Sequence, residues 1–179
     1  MRVFLDACVL YPTVLREVLL GVATAGLFQP LWSPRVLEEW ARAAARLAPG
    51  HEGIARGEIA LLRAQWPEAE VADAEAPGLD IPDPGDAHVV AAARSAGAEL
   101  IVTLNLKDFP TRTLGEFGLA ARHPDAFLHG LWSVHPDDVA SAAQKVQAEA
   151  ERLSGQAQPI RALLKRAYLP RLGKALGRT

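Results

Sequence analysis

Residues 83–109 read Asp-Pro-Gly-Asp-Ala-His-Val-Val-Ala-Ala-Ala-Arg-Ser-Ala-Gly-Ala-Glu-Leu-Ile-Val-Thr-Leu-Asn-Leu-Lys-Asp-Phe. The stretch predicts one helix feeding one buried strand. Asp86 precedes the apolar set Val89, Val90, Ala92 and Ala93, Gly97 stops the helix, and Leu100 to Leu104 follows as a short apolar strand. Asn105 and Asp108 come directly after it. A helix packed back on a parallel sheet places its N-terminal Asp86 near Asp108, at the edge where open α/β sheets bind ligands.

Upstream, Arg2 to Leu5 is a second apolar strand, closed by Asp6. From Pro12 onward Val14, Leu15, Val18, Leu19 and Val22 recur at helical spacing until Gly26. Phe28 to Trp32 fits an edge strand, because Pro30 is poorly tolerated in a central one. Ser33 and Pro34 open a helix to about Leu47 as N-cap and first helical residue, with Glu38 and Glu39 early on it. Another helix is expected from Glu52 to Trp66. The chain then turns acidic from Glu68 to Asp86, without a lysine or arginine, and Pro77, Gly78, Pro82, Pro84 and Gly85 mark a loop after a short strand around Val71.

Downstream, Thr113 and Glu116 suit a capping box for a short helix ending at Gly118, and Leu119 to Ala121 a last strand. Helices are expected from His123-Pro124 to about Leu131 and from His135-Pro136 to about Leu153. Gly155 to Pro159 reads as a linker, followed by a basic, apolar-striped helical segment interrupted at Pro170. Short strands alternating with helices predict an α/β fold whose parallel sheet is covered on both faces.

The chain has 179 residues, about half of them hydrophobic, enough for a substantial core. No stretch is long enough to cross a membrane and no signal-peptide pattern opens the chain, so a cytoplasmic protein is expected. The single cysteine, Cys8, excludes an intramolecular disulfide and a zinc site built on several thiolates. The five histidines show no metal-ligand spacing. Charge is unevenly spread: residues 152–179 carry seven basic and no acidic side chains, and the remainder 12 basic against 21 acidic. That is an acidic body suited to cations and a basic tail suited to phosphates, or simply a helix with a solvated basic face.

Four acids stand at element ends that a parallel α/β fold brings together: Asp6, one of Glu38 or Glu39, Asp86 and Asp108. Asp83 and Asn105 stand close enough in sequence to support them. Carboxylates about 4 Å apart repel by roughly 4 kcal/mol at an effective dielectric near 20. A divalent cation relieves that repulsion, and an oxygen-only donor set suits Mg²⁺ or Mn²⁺ and phosphodiester hydrolysis. Each acid also has a plainer reading: Asp86 as a helix N-cap, Asp108 as a turn residue, Glu38 and Glu39 as solvated helix charges. Asp6 resists it, since an acid closing a buried strand is costly without a partner. Cys8 reads as a small core residue rather than a nucleophile, and His88 as a packing or surface residue that is also placed to approach a substrate. No Walker loop, GxGxxG or Gly-x-Ser-x-Gly elbow is present.

Four segments carry a family resemblance: Val3-Phe4-Leu5-Asp6 with its following helix, Ser33 to Trp40, Asp86-Ala87-His88-Val89-Val90-Ala91-Ala92, and Ile101 to Phe109. In order and spacing the chain resembles the PIN domain, the fold of VapC-type toxins and related ribonucleases, and more closely bacterial PIN proteins with a helical C-terminal extension. The resemblance implies a three-layer α/β/α fold with a parallel sheet of four or five strands over residues 1–132, and a helical extension with a basic tail over residues 133–179. It further implies a Mg²⁺- or Mn²⁺-dependent endoribonuclease, the toxin of a toxin–antitoxin pair, with RNA as substrate, an antitoxin as partner and a homodimer as the assembly. By matched position Asp6, Glu39, Asp86 and Asp108 would be the catalytic, metal-holding acids. Glu39 is preferred over Glu38 because it directly precedes the large apolar Trp40. Asn105 matches the polar residue that begins the fourth motif and is the alternative to Asp108 as the residue nearer the metal; Asn105, Asp83, Thr103 and Glu38 would otherwise be supporting residues. Rival readings are a PIN scaffold that binds RNA or protein without catalysis, and a haloacid-dehalogenase-like phosphatase; the latter expects an aspartate where Cys8 stands.

Overall fold

The computed structural model describes residues 1–76 and 78–178. Pro77, expected in the acidic loop, and Thr179, expected at the end of the tail, lie outside them. In chain order come β1 (Arg2–Leu5), α1 (Ala7–Leu10), α2 (Thr13–Thr24), β2 (Gln29–Leu31), α3 (Pro34–Ala45), α4 (His51–Gln65), α5 (Ala87–Ser95) and β3 (Leu100–Val102). They are followed by α6 (Thr111–Gly115), β4 (Ala120–Arg122), α7 (Pro124–Val134), α8 (Pro136–Ser154), α9 (Ile160–Arg166) and α10 (Pro170–Leu176). Contacts divide the chain into two compact units, one of residues 1–11 and 29–122, the other of residues 12–28 and those from 123 on.

The first unit is a four-stranded parallel sheet in the order β2-β1-β3-β4, flanked by helices. It is the expected α/β/α architecture, with four strands. The central strands β1 and β3 are uninterrupted apolar runs, and Val3, Phe4, Leu5, Ile101 and Val102 are fully buried, as strands covered on both faces require. At about 1.5–3 kcal/mol for each fully buried large apolar side chain, these strands anchor the unit. Pro30 sits in the edge strand β2, opposite Val3, where its missing N–H is tolerated. Register then builds the carboxyl edge of the sheet: Leu5 pairs with Val102, so Asp6 and Thr103 leave the C-terminal ends of neighbouring strands side by side.

Three local expectations are corrected. The β3 strand stops at Val102: beyond it the Cys8 thiol takes Leu104 N–H at 3.2 Å and the Thr103 hydroxyl takes Asn105 N–H at 3.0 Å, so neither donor extends the strand. The strand around Val71 reduces to an isolated parallel bridge between Trp32 and Glu70. Thr113 forms no capping box; its hydroxyl donates to the Asp80 carbonyl at 3.0 Å, and Pro110 opens α6 instead. Helix α1, a single turn after Asp6, was not anticipated, being too short to carry a periodic signal.

The second unit is helical. Helix α2 packs on α8 so closely that a Cβ at Gly21 would stand 3.1 Å from Ala142 Cβ. Phe28 meets the Phe127 ring edge to face at 5.1 Å. Buried Asp125 of α7 accepts from the backbone N–H groups of Arg171 and Leu172 at 2.9 and 3.0 Å, capping α10 from a distant element. Residues 155–159 are tied down: Gln158 bonds to Gln147, Glu151 and Arg166. Among the described residues no helix is long and apolar enough to cross a membrane.

Candidate functional site

Asp6 is the fixed point of the edge. Its backbone carbonyl starts α1 by accepting from Val9 and Leu10, while its carboxylate makes no cap bond. Instead Oδ2 accepts from the Thr103 hydroxyl at 2.7 Å and the Cys8 thiol at 3.0 Å, with only 6 % of the residue exposed. Cys8 Sγ accepts in turn from Leu104 N–H at 3.2 Å, so one thiol ties the end of β1 to the chain leaving β3. Burial above all, with the charge and hydrogen bond of Asp6, pushes the Cys8 thiol far above its ordinary range. A protonated, half-buried thiol is a poor nucleophile and serves as a brace.

Asp86 ends a 3-10 turn, Pro84–Asp86, and opens α5, yet its side chain makes no cap bond. Burial first, and then the charges of Asp6, Asp83, Asp108 and Glu39, push its carboxyl up to about 6. Each of the other expected acids, Asp6, Glu39 and Asp108, therefore acts electrostatically on Asp86. Asp83 is engaged elsewhere, accepting from Gly85 N–H at 2.8 Å to cap the 3-10 turn, and contributes only its charge. Asp108 ends a second 3-10 turn, Leu106–Asp108, and Asn105, exposed, opens that turn.

The paired glutamates of α3 part company. Glu38 faces Arg56 at 3.0 Å and Arg42 at 3.1 Å, which hold its carboxyl below the ordinary range. Glu39 lies 3.6 Å from Arg35 and on the Asp86 side. His88 Nε2 stands 2.8 Å from Glu39 Oε1, out of line for a hydrogen bond, so both nitrogens of this buried ring lack a hydrogen-bond partner. The sequence did not place His88 beside Glu39, nor Cys8 as a brace. Position two after Asp6, within one helical turn, is the only trace of the second.

The donor set is chemically that of a hard cation: carboxylate and carbonyl oxygens, with negative charge in excess. Among the described residues no three histidine, cysteine, aspartate or glutamate side chains converge into a ready coordination sphere. The residues still fit Mg²⁺ or Mn²⁺, since such ions keep several waters and engage only one or two carboxylates directly. A family model described as PIN domain matches residues 2–107. The protein named "Putative ribonuclease VapC50" from Mycobacterium tuberculosis is 54 % identical over 43 residues, covering 24 % of this chain and 25 % of that protein. No solved structure gives a significant match.

Proposed function

Since the chain belongs to the PIN domain family, we propose that it is a metal-dependent endoribonuclease acting as the toxin of a toxin–antitoxin pair. One observation carries the reading: at the carboxyl edge of the sheet Asp86 is half-buried and ringed by the charges of Asp6, Asp83, Asp108 and Glu39, and burial first, then those charges, raise its carboxyl to about 6. Such a concentration of negative charge would be a liability without a cation. Asp6, Glu39, Asp86 and Asp108 would hold Mg²⁺ or Mn²⁺, which supplies charge neutralisation for the phosphodiester and a more acidic water. Asp6 is immobilised by Thr103 and Cys8, so its oxygen is oriented before substrate arrives. Asp86 and Asp108, at the ends of short 3-10 turns, would orient the attacking water by accepting hydrogen bonds from it. Asn105 and Asp83 shape the rim.

Catalysis is assigned to residues 1–132, with residues 133–179 as an extension whose cations attract the phosphate backbone. A cytoplasmic setting, an antitoxin and a homodimer belong to the same proposal; the relative's VapC name supports the antitoxin, and the exposed Ile54 and Leu61 on α4 offer apolar surface. Purified protein should cleave single-stranded RNA with Mn²⁺ or Mg²⁺. Cleavage that persists in excess EDTA, or survives Asp6→Asn with Asp86→Asn, would sink the reading. A non-catalytic PIN scaffold is the second reading, favoured by the unconverged acids. It expects RNA or partner binding that depends on residues 155–179 and no metal-dependent cleavage at any enzyme concentration.

A further inference from the structure

Six of the seven positive-φ residues among those described are glycines, and four of these, Gly26, Gly97, Gly118 and Gly155, follow helix ends. The exception is Tyr168, at φ 62° between α9 and α10. Its turn is a left-handed helix stop: Leu169 N–H donates to the Leu164 carbonyl at 2.8 Å and Ala167 N–H to Leu163 and Leu164. Glycine is the residue that such a stop favours, and a bulky aromatic there is strained. Packing does not explain the tyrosine, which is 53 % exposed. A strained, exposed ring that contributes little to the core points to a use outside it.

Its surroundings say which use. Arg161, Lys165, Arg166, Arg171, Lys174 and Arg178 are all exposed, and no acid follows Glu151. The apolar stripe of this segment is already consumed, because Leu163, Leu164, Leu169 and Leu172 are buried. With most of that stripe buried and six cations exposed, the described part of the hairpin presents charge rather than an apolar face. One aromatic platform among cations is instead the arrangement that binds unpaired nucleotides, by base stacking with phosphate attraction. We propose that the α9–α10 hairpin is a single-stranded RNA-binding element in which Tyr168 stacks an unpaired base. The inference rests on the RNA-directed reading above and names the part of the chain that grips the substrate.

The test uses the full chain in EDTA with two fluorescent strands of about twelve nucleotides, oligouridine and an abasic strand of equal phosphate number. Wild type should prefer oligouridine by about tenfold. Tyr168→Trp should keep that preference and Tyr168→Gly should lose it, while Tyr168→Gly melts at or above the wild-type temperature because the strain is relieved. Equal binding of both strands by wild type, or preference retained in Tyr168→Gly, overturns the proposal. So does a lower melting temperature of Tyr168→Gly, which would make the ring a packing residue. Displacement of RNA by polyglutamate that depends on Tyr168 overturns it in favour of an acidic protein partner. Cleavage in Mn²⁺ is scored separately: no cleavage with the preference intact defeats the nuclease reading alone, and cleavage without the preference defeats the hairpin alone.

Discussion

Two side chains, Thr103 and Asp86, set what the acidic edge can do. Thr103 gives its hydroxyl to a charged carboxylate, a bond of about 1.5–3 kcal/mol. Thr103→Val should therefore lower the melting temperature and cut RNA cleavage by about tenfold, measurable by calorimetry and single-turnover kinetics. For Asp86 the sign is opposite. Its folded-state carboxyl is raised from 3.8 to about 6, so the folded chain binds more protons than the unfolded one between those values. Stability of the metal-free protein should fall as pH rises through about 4 to 6 and stay reduced above. Asp86→Asn should stabilise that form by about 1 kcal/mol at neutral pH, after discounting for solvent screening, while abolishing cleavage. Asp83→Asn should retain more activity than Asp86→Asn, because Asp83 is engaged in a turn. The sequence showed which acids close strands and helices. It did not show that Asp86 leaves its cap position unused, nor that Cys8 braces Asp6, since both depend on side-chain direction in the packed state.

Among the elements, those with strong periodicity or clear punctuation were legible. Ser33 caps α3 through Val36 N–H and Pro30 sits in an edge strand, as residue chemistry demands. Short pieces were not: α1 has four residues, and Thr113 found the Asp80 carbonyl from a loop 33 residues upstream instead of a local cap. Helix α10 is held by features outside itself. Asp125→Ala leaves the N–H groups of Arg171 and Leu172 without their carboxylate and should cost about 2 kcal/mol. A Cβ at Gly173 would stand 3.1 Å from the Arg161 carbonyl oxygen and from Leu164 Cβ. Gly173→Val should thus separate α9 from α10, seen as faster amide exchange across 160–176 with α5 unaffected.

At the scale of the molecule, charge is sorted along the chain, with acids in the body and cations in the tail. RNA affinity should fall steeply with salt, and Lys165→Glu with Lys174→Glu should flatten the slope without altering Mn²⁺ affinity. Mn²⁺ at a hundred times its dissociation constant should stabilise the protein by about 2.7 kcal/mol at pH 7.5 and progressively less below pH 6, as protons occupy Asp86. The hydrogen bond from Thr103 to Asp6 spans 97 residues, and the β1–β3 pairing beside it is equally remote in sequence. During synthesis the first acid leaves the ribosome long before the strand that fixes it. A partial chain thus carries Asp6 without its anchor, and on the proposed reading RNA cleavage should begin only after translation has passed β3.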